Sequence, residues 1–128
     1  MPNTPSAAAV VFVDDVARLT AFYQALAGMQ VLQSDKKHAV LEVPGMQLTI
    51  HAISRKAHAD ATYPTREGTF IKLCFPVPSI SQARTTAASF GGEVWAADKE
   101  WEAVDRGFRA CDGRDPEGNV FQLRQPLA

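Results

Sequence analysis

AAVVFVDDVARLTAFYQALAGMQV, from Ala8 to Val31, and KLCFPVPSISQARTTAASFGGEVW, from Lys72 to Trp95, share one layout. Val13 and Val77 lie 64 positions apart, and so do Gly28 and Gly92. Each stretch reads as an apolar strand, a helix start, about thirteen helical residues, a Gly stop and another strand. Asp14 or Asp15 can cap the first helix and Ser79 the second, since a short side-chain oxygen there accepts a free first-turn amide. Ala17, Ala21, Phe22, Ala25 and Leu26 recur at helical spacing and predict an apolar stripe that lies on a sheet. Gly28 and Gly92 stand where a left-handed C-cap residue is wanted. Two copies are too few for a solenoid, so this is a duplicated module.

Short strands follow each helix. In the first half they are expected over Met29 to Ser34, His38 to Val43 and Met46 to Ile53, with turns at Asp35–Lys37 and Pro44–Gly45. In the second half they are expected over Glu93 to Asp98, Gly107 to Asp112 and Asn119 to Gln125. There DPEG (Asp115 to Gly118) is a strong turn, because Pro fixes φ at its second position. The polar stretch Ser54 to Gly68 reads as a linker. Residues 1–128 therefore predict a single α+β domain of two βαβββ modules, about 8–53 and 69–125, with helices on one side of the sheets. Period-two alternation assigns the faces. Met46, Leu48 and Ile50 oppose Gln47, Thr49 and His51, while Ile71, Leu73 and Phe75 oppose Lys72, Cys74 and Pro76. Phe121 and Leu123 oppose Gln122 and Arg124 in the same way.

Composition narrows the function. Thirteen Lys plus Arg against fourteen Asp plus Glu give a net charge of -1, which argues against a nucleic-acid binder or a polybasic membrane-surface protein. No apolar run approaches the roughly 20 residues of a bilayer span. The run from Ala7 to Val13 lacks the positive flank of a secretory signal. Cys74 and Cys111 form no CxxC pair and read as small buried hydrophobes. A cytoplasmic domain is the expectation.

Taken together, FVDDVARLTAFYQALAGM near the start, RDPEGNVFQL near the end and the duplication resemble the vicinal oxygen chelate superfamily of glyoxalases, bleomycin-resistance proteins and extradiol dioxygenases. The resemblance runs from about Ala8 to Arg124 and implies two modules whose curved sheets surround a pocket. In metal-using members it implies a divalent ion held by His or Glu on the first, fourth, fifth and eighth strands. Carried over onto this chain, those positions fall on Ala8, Gln47, Lys72 and Gln122. Ala has no ligand atom, a protonated Lys repels a cation, and Gln is a far poorer donor than Glu. The resemblance thus implies no metal cofactor. It points to a protein of the bleomycin-resistance kind that sequesters a small molecule between two subunits of a homodimer.

Lys72 is the expected electrostatic anchor for a carboxylate, phosphate or phenolate, flanked by Gln47 and Gln122 as two-way hydrogen-bonding groups. His51 shares the strand face of Gln47 and lines the pocket's far end or serves as a general base. Phe12, and Trp101 in the loop KEWEAVDRG where a lid would sit, are candidate aromatic walls, so a planar, anionic or aromatic ligand is expected. His38 and His58 read as exposed. The alternative is a metal-dependent lyase, isomerase or dioxygenase with displaced ligands drawn from His51, Asp112 and Glu42, which requires the strand register to slip.

Overall fold

In the computed structural model, which describes residues 5–53 and 62–128, strand β1 (Ala8–Val13) leads into helix α1 (Val16–Ala27) through Asp15. The Asp15 carboxylate accepts the Arg18 amide at 3.0 Å, and Gly28 ends the helix at φ 62°, which costs glycine nothing. Strands β2 (Gln30–Ser34), β3 (His38–Val43) and β4 (Met46–Ala52) follow as a meander. β1 then pairs parallel to β4, giving the order β1-β4-β3-β2. In the second half β5 (Leu73–Pro76) precedes α2 (Ile80–Ser89), capped by Ser79 through the Gln82 amide at 3.1 Å. β6 (Glu93–Val94), β7 (Trp101–Ala103), β8 (Phe108–Arg114) and β9 (Val120–Pro126) complete a sheet of order β5-β9-β8-β6, with β7 paired to β8.

The α+β architecture and the two pseudo-equivalent sheets follow the sequence reading, with four departures. The strand expected over Glu93 to Asp98 stops at Val94. Two 3-10 turns, Ala97–Lys99 and Val104–Arg106, frame an extra strand, β7, so the last strand is the ninth. α2 closes through Gly91 at φ 87° rather than Gly92. Gly92 is needed for another reason: a Cβ there would collide with the Phe22 ring and the Arg114 carbonyl. The buried stripe of α1 is Val16, Leu19, Phe22, Tyr23 and Leu26, while Ala17 is exposed. Finally, Ile71 precedes β5 and is exposed, as is Phe70.

Both helices and the apolar faces of both sheets share one core. Leu48, Ile50, Ala39 and Leu41 from the first sheet and Phe75, Phe121, Leu123 and Cys111 from the second are all buried. Tyr23 on α1 meets Phe75 and Phe121 at ring distances of 5.6 and 6.4 Å, so the first helix packs on the second sheet. Of the expected linker, 54–61, including His58, lies outside the described residues. Its later part packs onto the final hairpin, where the Arg66 amide donates to the Gly118 carbonyl at 2.9 Å. Among the described residues no helix is long and apolar enough to cross a membrane.

Candidate functional site

Pairing register decides which side chains stand together away from the helices. On the second sheet Cys74 pairs with Gln122 and Gln122 with Asp112; one row on, Pro76, Arg124, Ala110 and Trp101 align across four strands. Lys72, just before β5, reaches this face and places Nζ 2.6 Å from Asp112 Oδ2. Gln122 Nε2 donates to the other Asp112 oxygen at 3.3 Å, and Gln122 Oε1 accepts from Arg124 Nε at 2.8 Å. Cys74 is half-buried rather than buried, and its Sγ lies 3.7 Å from Gln122 Oε1. The result is a continuous polar chain from Lys72 through Asp112 and Gln122 to Arg124. Charge in it is partly cancelled, since Lys72 and Asp112 neutralise one another.

Beyond that chain the face turns aromatic. The Arg124 guanidinium carbon lies 4.4 Å from the Phe108 ring centroid and that of Arg106 lies 5.0 Å from it; Trp101 meets the same ring edge-on at 6.1 Å. Trp101 sits on β7 and not in a loop. The segment is held by Arg84 on α2, whose Nε donates to the Trp95 carbonyl at 2.8 Å and whose Nη2 reaches Glu100 at 2.6 Å. The hydrogen bond from Arg84 holds the Glu100 carboxyl below its ordinary pKa. Trp101 is therefore a fastened wall, with 47% of its surface exposed.

The first sheet's equivalent face is different. Gln47 faces Ala8 across the parallel pair and donates to Glu42 at 2.8 Å. Phe12 pairs with His51, their rings 5.6 Å apart, and His51 stacks at 6.3 Å on His38. His38 is half-buried, contacting Gln33 at 2.7 Å and Asp35 at 3.3 Å. Thus Lys72 and Gln122 are brought together, and Phe12 joins His51. Among the described residues, no hydrogen bond or ring contact joins Gln47 and His51 to the Lys72 group.

As a donor set for a divalent ion, Ala8, Gln47, Lys72 and Gln122 do not fit. They offer a methyl, an ammonium already paired, and two amides already bonded. The displaced set fares no better, since Asp112 is taken by Lys72, Glu42 by Gln47, and His51 stands beside Phe12. Among the described residues no group of three or more His, Cys, Asp or Glu side chains could hold a metal.

A buried acidic cluster at the junction of the halves has no counterpart in the sequence reading. Asp115 is fully buried and accepts from the Tyr23 hydroxyl at 2.6 Å, the Glu117 amide at 2.8 Å and the Asn119 amide at 3.0 Å. Glu117 accepts the Asp14 and Asp15 amides at 2.8 Å each, at the start of α1. Burial pushes both the Tyr23 hydroxyl and the Glu117 carboxyl up, the former well above its ordinary value. With every oxygen engaged internally, this cluster is a joint between halves. A cavity of about 80 Å³ beside it is lined by Val11, Tyr23, Ile71, Leu73 and Phe121. A second, of about 220 Å³, lies between the end of α1 and the start of α2.

Sequence reasoning does not single out Arg106 or Arg124 as candidates for this face, and it reads Phe108 as core or interface filler although an aromatic wall is one of its possible roles. Arg124 is legible in principle, two positions past Gln122 on an alternating strand and so on the same face.

Residues 8–124 match the family described as a glyoxalase-like domain. No curated protein has a sequence significantly similar to the chain. Among solved structures, a glyoxalase/bleomycin resistance protein/dioxygenase family enzyme from Burkholderia phytofirmans PsJN is similar at TM-score 0.68 and 20% identity, over 94% of this chain and 98% of that one. A glyoxalase/bleomycin resistance protein from Albidiferax ferrireducens T118 follows at TM-score 0.67 and 19% identity, over 93% and 96%. The fosfomycin resistance protein FosX from Listeria monocytogenes, complexed with Mn(II) and a sulfate ion, superposes at TM-score 0.66 and 19% identity, over 99% and 93%. At such identities the likeness carries the fold alone.

Proposed function

The chain belongs to the glyoxalase-like domain family, and we propose that within it this protein binds a small molecule without a metal, as a homodimer of the bleomycin-resistance kind. The observation that carries this reading is the Lys72–Asp112–Gln122–Arg124 chain. It fills with fixed hydrogen-bonding side chains the face where the resemblance sets metal ligands. A bound ligand there meets amides and guanidinium groups instead of a Lewis acid. The dimer is supported by strand β1, which among the described residues pairs with β4 alone and leaves Val10 53% and Phe12 60% exposed. A cytoplasmic setting is supported by the two free thiols.

The test is elemental analysis of protein purified without chelator or affinity metal, together with its mass in solution. A dimer with no more than trace Fe, Mn, Ni, Co or Zn is the expected result. Near-stoichiometric metal per chain would overturn the reading and return the search to the metal-dependent lyases, isomerases and dioxygenases.

A further inference from the structure

Arg124 and Arg106 are the cations of the second sheet's face that lack a compensating acid. Lys72 is committed to Asp112, Arg84 to Glu100 and Arg109 to Glu102. Among the described residues no carboxylate lies within ion-pair distance of either Arg106 or Arg124. Arg124 is half-buried and its Nε is spent on Gln122; among the described residues neither terminal nitrogen of the fork has an acceptor. A planar guanidinium held in this way offers two parallel N–H donors to a carboxylate. Phe108 beneath it is nearly buried, and Gln122 fixes its stem, so little rotamer freedom remains to be lost on binding. Ala110, aligned between Arg124 and Trp101, is too small to rise above them and forms a floor between cation and indole.

We propose that Arg124, supported by Arg106 and walled by Phe108 and Trp101, is the recognition site for a planar aromatic carboxylate. The carboxylate lies on the Arg124 fork and the ring against Trp101. The proposal rests on the small-molecule reading above and deepens it by moving the anchor from Lys72, whose charge is already answered, to Arg124.

The probe is 1-naphthoate, titrated calorimetrically into the purified protein alongside the neutral 2-naphthylmethanol and inorganic phosphate. Wild-type protein should bind naphthoate at least tenfold more tightly than either control, because only naphthoate presents both charge and ring. Arg124→Lys keeps the charge and loses the fork; it should weaken naphthoate at least tenfold with an unchanged circular dichroism spectrum. Trp101→Ala, at an exposed position that threatens folding less, should weaken naphthoate and leave phosphate unaltered. Equal binding of naphthoate by the wild type and both variants would overturn the Arg124 assignment while leaving small-molecule binding intact. Phosphate binding as tight as naphthoate would overturn the aromatic requirement. No naphthoate binding at all would also overturn this inference, and a thermal-shift screen of neutral and cationic compounds on the same protein would then decide the wider reading separately.

Discussion

The two halves carry the same hairpin at the same point of the module, and put it to opposite uses. In the first half the turn between β3 and β4, at Pro44 and Gly45, is exposed. In the second half the turn between β8 and β9, Asp115 to Gly118, is buried and supplies carboxylates to Tyr23 and to the start of α1. The outer faces differ in the same sense. The first sheet shows an apolar edge around Val10 and Phe12 with a histidine pair, and the second a pre-bonded polar chain ending in an arginine–aromatic stack. Duplication sets the framework, and each half then specialises: the second holds the halves together through its buried turn, and the function proposed above assigns association to the first half's face and recognition to the second's.

The largest test of this asymmetry is Asp115→Ala against Pro44→Ala. Asp115→Ala strands the Tyr23 hydroxyl, the buried Glu117 amide and the half-buried Asn119 amide, so it should cost about 3 kcal/mol or more in denaturant unfolding. Pro44→Ala should stay within about 1 kcal/mol. Equal costs would mean that the buried turn is not the joint described.

Where the fold is legible in the sequence, the signals are local. Asp15 and Ser79 as caps, Gly28 as a C-cap, the DPEG turn and the alternation along β4 and β9 each depend on a few neighbouring residues. What escapes is non-local. Lys72 and Asp112 are 40 positions apart, so alternation places Lys72 on the correct face without revealing that its charge is neutralised there. The strand at Trp101 escapes because three residues carry too little periodicity, and its pairing depends on β8 and on the Arg84–Glu100 clamp. Gly92 reads as a cap because its spacing matches Gly28, whereas its role is to admit the Phe22 ring.

A smaller effect probes the clamp, which has no counterpart among the described residues of the first half. Glu100 has its folded pKa depressed by Arg84, so its stabilisation is present above the ordinary glutamate value and is lost as pH falls through the folded one. Glu100→Gln should therefore lower stability by about 1 kcal/mol at neutral pH. The gap to wild type should close in acid; a gap that persists there would mean the effect is packing rather than charge.

The smallest effect on folding is expected at Phe12, on the other face. Phe12→Ser should leave the unfolding of dilute protein within about 0.5 kcal/mol of wild type. It should weaken dimerisation at least tenfold by sedimentation velocity. An unaltered dimer would move the interface off β1.

The hydrogen bonds from the Asp14 and Asp15 amides to Glu117 span more than a hundred residues. A nascent chain on the ribosome has α1 in hand early, but the acid that quiets its first amides emerges more than a hundred residues later. Tyr23 likewise waits for Asp115, and Phe22 for the space between Gly92 and Arg114. The first half is thus a template waiting on the second, and vulnerability to proteolysis and misassembly should be concentrated in that interval.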